Sequence, residues 1–212
     1  MAERMLNEEG ALAKMRGLSF GFSITRSIAA AAELGIADRL ADGSRTPAEL
    51  ARECGVLEHP LYRMLRALAG EGVFAEDEDG RFALTPMAEL LRSDHPRSLR
   101  DWVIFLADLP YRSSLEMLHS LKTGESGFRR AFGAPLFDYL SAHPEYGTKL
   151  FRAMSSISAA RIAGVLDAYD FSAITELSMW EAPTERWPRP LRSGTRASAA
   201  HASTYPAPSR AR

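Results

Sequence analysis

Residues 60–86 read PLYRMLRALAGEGVFAEDEDGRFALTP, and the order of elements in that stretch decides the fold. Pro60 opens a helix that runs to Ala69, with Leu61, Met64, Leu65 and Leu68 recurring at spacings of three and four on one buried stripe. Gly70 or Gly72 ends it. Val73-Phe74-Ala75 and Arg81-Phe82-Ala83-Leu84 then flank an acidic tip containing Asp79-Gly80, the signature of a β-hairpin. Toward the N-terminus, Thr46-Pro47-Ala48-Glu49 combines an N-cap, a proline at the first helical position and an acid in the first turn. A helix over 46–53 follows and stops at Gly55. Ile36–Leu40 is a shorter helix closed by Asp42-Gly43. Three helices followed by a hairpin make a winged helix.

Beyond this unit the pattern is helical. Leu12, Met15, Phe22 and Ile28 recur at near-helical spacing from Leu12 to Leu34, where Ala29–Ala32 favours helix and Gly17, Gly21 and Gly35 weaken it locally. Downstream, helices are expected over 86–91, 98–107, 115–121, 135–140 and 145–168. The expected fold class is mainly α, with one small β-hairpin.

Composition bounds the function. The 212 residues are 46% hydrophobic and 25% charged, with a formal net charge of −1, so no global charge draws the chain to nucleic acid or to an anionic membrane. The lone Cys54 forms no intramolecular disulfide, and the charged N-terminus MAERMLNEEG carries no apolar secretory core. No stretch reaches the roughly 18 apolar residues of a membrane helix. These features point to a cytoplasmic protein.

The averages conceal a break. Residues 1–175 carry a net charge of −4, whereas residues 176–212 hold six Arg and three Glu. That tail contains no Val, Ile, Phe, Asp or Asn, and Ala, Arg, Pro and Ser supply 23 of its 37 residues. Such a composition buries too little apolar surface to offset the entropy of ordering. The expected organisation is a flexible N-terminus over 1–10, a domain over 11–172 and a disordered low-complexity tail over 173–212.

A winged helix by itself suggests a DNA-binding regulator, but the chemistry opposes that use. The hairpin tip, Glu76-Asp77-Glu78-Asp79, places four anions where a wing needs cations beside phosphates. Arg63 and Arg66 on the third helix read as a solvated face. The five histidines, His59, His95, His119, His143 and His201, show no metal-ligand spacing, and neither a phosphate loop nor a nucleophile elbow is present. No catalytic residue and no metal site are therefore expected. A set of aromatic and methionine positions, Trp102, Phe105, Phe151 and Met154 among them, reads individually as helical core and collectively as the wall of an apolar small-molecule pocket.

The order of elements resembles the plant-type and bacterial natural-product O-methyltransferases. The stretches that carry the resemblance are GFSITRSIAAAAELGIADRLADG, TPAELARECG, PLYRMLRALAGEGVFAEDEDGRFALTP, TGESGFRRAFGAPLFDYLSAHPE and FRAMSSISAARIAGVLDAYDFS, which span nearly all of residues 11–175. The resemblance implies a helical, winged-helix-containing dimerisation domain that interlocks with its twin in a homodimer. It also implies one wall of a pocket for an aromatic or polyketide-like hydroxyl acceptor, methylated from S-adenosylmethionine with a histidine base. Phe151 and Met154 match acceptor-facing positions on the last helix before the catalytic domain, and Ser155 matches a position near the methyl donor. Trp102, which shares its helix with Phe105, would roof the pocket. A free-standing dimerisation module is a further reading, beside the DNA-binding regulator.

In that family the segment ending YDFS leads through a strand into a glycine-rich turn, D-V-G-G-x-x-G. Here Glu176-Leu177-Ser178-Met179-Trp180 stands instead. Met179 and Trp180 have single codons, ATGTGG, and reading from the last base of each codon forces Val followed by Gly. With permitted neighbouring codons, the shifted frame reads V-D-V-G-G-A-H-G at the expected place. The expectation is a frame change near Thr175 that replaced the donor-binding domain, leaving a chain that binds no S-adenosylmethionine alone and has no methyltransferase activity of its own.

Overall fold

The computed structural model describes residues 7–169, and the expected tail over 173–212, with its frame change, lies outside the described residues. Packing divides the chain into a unit of residues 1–163 and another of 164–212; the core and the candidate sites belong to the first.

Two helices replace the single one expected between Leu12 and Leu34: α1 (Glu8–Ser19) and α2 (Gly21–Glu33). They break at Phe20, whose amide turns back to the carbonyls of Arg16 and Gly17. Glycine at 17 and 21 lowers helix propensity on both sides of the break. Asn7 caps α1 by accepting from the Gly10 amide, so the helix begins inside the stretch expected to be flexible. After α2 come α3 (Ile36–Arg39), α4 (Pro47–Cys54) and α5 (Glu58–Gly70). Thr46 and Glu49 form a full capping box at the start of α4, each side chain bonded to the other residue's amide.

The hairpin pairs β1 (Phe74–Glu76) with β2 (Phe82–Leu84), antiparallel, with Ala75 opposite Ala83. Arg45 adds a single bridge, exchanging both backbone hydrogen bonds with Phe82 at 2.9 and 2.8 Å, which ties the loop before α4 to the hairpin. Gly80, with φ of 72°, provides the left-handed residue that the tight acidic turn requires. The order of three helices and a hairpin expected from residues 36–84 is therefore present.

One core holds this unit together. Ile36 and Leu40 of the α3 segment, Leu50 of α4, Leu61, Leu65 and Leu68 of α5, and Phe74 and Phe82 of the hairpin are all buried in it. The stripe read from α5 is the buried one, with Met64 packed at its margin.

The remaining helices are α6 (Pro86–Glu89), α7 (Arg100–Leu106), α8 (Leu109–Ser114), α9 (Met117–Thr123), α10 (Gly127–Phe132), α11 (Leu136–Ala142) and α12 (Pro144–Ala168). Helices α8 and α10 were not expected. Each has six residues, under two turns, too short for a periodic signal. They pack closely: a methyl group on Gly127 would lie 2.9 Å from the Ser113 carbonyl oxygen. Phe128, Phe132, Tyr139, His143 and Tyr146 join α10, α11 and α12 through a run of ring contacts, Phe128 and Phe132 being 4.5 Å apart between centroids.

Candidate functional site

The candidate residues sit on α7 and α12, and both helices are held by contacts distant in sequence. Helix α7 lies antiparallel along α2, fastened at both ends. At its start, Arg100 Nε donates to the Ala32 carbonyl at 3.0 Å, and the guanidinium lies 3.6 Å from Asp38. At its end, the Arg26 guanidinium donates to the Ala107 carbonyl. These donors occupy backbone acceptors left over where helices end.

Helix α12 is anchored by Lys149, whose ammonium is 2.9 Å from Asp108 at the α7–α8 junction and lies over the Tyr146 ring. The bond to Asp108 raises the Lys149 pKa above the ordinary lysine value. On the same side, Ala153 is fully buried. Phe151, Met154 and Ser155, three and four residues apart, therefore fall on the opposite face of the helix. That face is open: Phe151 is 40% exposed and Met154 44%, and Ser155 is exposed as well.

The α7 pair is placed differently. Trp102 is half-buried and Phe105 is buried, 7% exposed. A cleft of about 330 Å³ does lie between α2, α7 and α12, but its lining is charged: Glu33, Arg100, Asp101, Lys149 and Arg152, with Ile104 the one apolar side chain. A second, wider cleft, lined by Glu125, Arg129, Arg130 and Leu136 among others, also lacks the candidates. The structure thus gathers Phe151, Met154 and Ser155 on one surface and keeps Trp102 and Phe105 outside both clefts.

The sequence reading passed over the residues that position these helices. Arg26, Arg100 and Lys149 find their partners 81, 68 and 41 residues away, so no local pattern announces them.

Around the hairpin, arginines are engaged within the chain. Arg81 donates to the Ser44 carbonyl at 2.8 Å and meets Glu49 at 3.4 Å, while Arg45 bonds to the Arg39 carbonyl and to Glu53. The exposed tip is left acidic, with Asp77 accepting from the amides of Asp79 and Arg81. Among the described residues, no group of three or more His, Cys, Asp or Glu side chains is arranged to hold a metal ion. Nor is any described helix long and apolar enough to cross a membrane.

Comparison with known proteins gives three findings. Residues 17–94 match the model of the O-methyltransferase dimerisation domain. The chain is 41% identical over 152 residues to the phenazine O-methyltransferase PhzM of Lysobacter antibioticus, covering 72% of this chain and 45% of that protein. It is 38% identical over 156 residues to a 3-amino-4-hydroxybenzoate 4-O-methyltransferase of Streptomyces cremeus, covering 73% and 42%. Among solved structures, it resembles CalO1, a methyltransferase in calicheamicin biosynthesis in its SAH-bound form, with a TM-score of 0.69 and 32% identity over 80% of this chain and 51% of that one. The chain spans about half the length of the curated relatives it matches.

Proposed function

Because the chain belongs, through residues 17–94, to the O-methyltransferase dimerisation-domain family, we propose that it is the dimer-forming and acceptor-covering part of a small-molecule O-methyltransferase that uses S-adenosylmethionine. The observation that carries the acceptor role is the open face of α12, where Phe151 and Met154 stand exposed opposite the face that Lys149 and Ala153 anchor. Two apolar side chains one turn apart suit a flat aromatic ring, and the relatives' acceptors, a phenazine and an aminohydroxybenzoate, are of that class.

In this reading Trp102 shapes the roof above the acceptor, Phe105 is buried and steadies the same helix, and Ser155 lies on the donor side of the α12 face that it shares with Phe151 and Met154. The helices hold an acceptor hydroxyl in line with the donor methyl, a contribution of position rather than of proton transfer. S-adenosylmethionine supplies the methyl group. In this reading the 212 residues cover the acceptor and leave donor binding to the half of the relatives that the chain does not match, so they transfer no methyl group by themselves. A frame change near Thr175 accounts for the composition of residues 176–212, and nucleotide sequence past that codon with no glycine turn in any frame would overturn it.

The test pairs two measurements. Light scattering should give a dimer of twice the 23.3 kDa chain mass, and a radiolabelled-methyl assay with a hydroxynaphthoate acceptor should stay at background. A monomer at micromolar concentration would remove the dimer reading, and turnover above background would remove the covering-only reading.

A further inference from the structure

We propose that Arg26 and Lys149 are positioning residues for the acceptor face: from α2 and α12 they grip one corner of the chain, Ala107-Asp108, and so fix how α12 is turned against α7. This deepens the acceptor-covering reading above and rests on it.

The corner is where α7 ends and α8 begins. Phe105, Ala107 and Leu109 are buried there, which fastens the backbone on both sides of Asp108. The Asp108 side chain, 23% exposed, meets the Lys149 ammonium at 2.9 Å. Arg26 reaches the same corner from α2, donating to the carbonyl of Ala107, the residue that caps α7. Neighbouring Cα atoms lie about 3.8 Å apart across one planar peptide bond. A shift of the α7 end is therefore passed on to the carboxylate that Lys149 holds.

The bond to Asp108 specifies the rotation of α12. Each residue advances a helix by about 100°, which sets Lys149 about 160° from Phe151 and about 140° from Met154 around the axis. Fixing Lys149 in the corner by a charge-assisted bond thus turns the apolar pair outward. The contacts that remain, the Tyr139–Tyr146 ring pair and the burial of Ala153, are less directional and tolerate a turn of the helix. Arg26 makes its hydrogen bond to the end of α7 and not to α12, so its influence on Phe151 and Met154 runs through the corner.

Binding of hydroxynaphthoate to the full chain, followed by ligand-observed NMR, tests the arrangement. Arg26→Met and Lys149→Met should each weaken binding about fivefold with native circular dichroism. Lys149→Arg keeps the charge and its donors and should restore most of the affinity. The double variant should lose no more than either single one, because both act through the same corner. Should Lys149→Met fail to fold, Asp108→Asn cuts the same ion pair at constant shape and should show the same loss. A role in stability alone would move the denaturation midpoint and leave affinity unchanged. Native affinity in the single variants, or a double variant whose loss is the product of the two, would overturn the proposal while leaving the acceptor face in place. An unsubstituted chain that binds no hydroxynaphthoate would instead remove the acceptor-covering reading, and the positioning role with it.

Discussion

At Gly127 the backbone of α10 approaches α8 so closely that a Cβ would meet the Ser113 carbonyl at 2.9 Å and Glu116 Cβ at 3.3 Å. Gly127→Ala forces the two helices apart, and a loss of about 1–3 kcal/mol is expected by urea denaturation. The capping box at Thr46 gives a second residue-scale prediction. Thr46→Ala removes the acceptor for the Glu49 amide and should cost about 1 kcal/mol in the same assay. Glu49 also carries a pH dependence. The backbone amide and then the hydroxyl of Thr46, reinforced by Arg81 and Arg45, hold its carboxyl below the ordinary glutamate value. A depressed folded pKa contributes stability that is fully present above the unfolded pKa and lost as pH falls through the folded one. The denaturation midpoint should therefore decline on the acid side of the ordinary glutamate range, and Glu49→Gln should flatten that decline. An unchanged slope in the variant would show that other groups govern it.

At the scale of elements, α5 and α12 contrast. Leu65 is fully buried in α5, so Leu65→Ala should lose about 2–5 kcal/mol. Phe151 and Met154 stand on the open face of α12, and replacing either with alanine should change stability by only about 0.5 kcal/mol. If those residues wall the acceptor, the same substitutions in a chain carrying a donor-binding half should lower kcat/KM for an aromatic hydroxyl. A large stability loss at Met154 would mean that its face is core. The α5 stripe was legible because four apolar residues recur at helical spacing over about two turns, inside a helix of 13 residues. Helices α8 and α10 were not, because they hold their shape through neighbours: Gly127 against Ser113, and Phe128 and Phe132 against the Tyr139 ring. The break at Phe20 was missed for a related reason, since two glycines signal weakness without saying where the helix turns.

At the scale of the molecule, the exposed leucines and methionines of α1 and α9 make association the central expectation, and sedimentation reads it directly. By itself the sequence determined the helix–helix–helix–hairpin order of residues 36–84, the face of α5 that is buried, the cap of α4 and the family resemblance. Each of these depends on spacings of three or four residues or on one turn, and so is written locally. Placing Phe151, Met154 and Ser155 on one open face, burying Phe105 and lining the neighbouring cleft with charge were decided only by the tertiary structure. Those outcomes follow from Arg26, Arg100 and Lys149 reaching partners 41 to 81 residues away, and a contact of that range leaves no period in the chain to read.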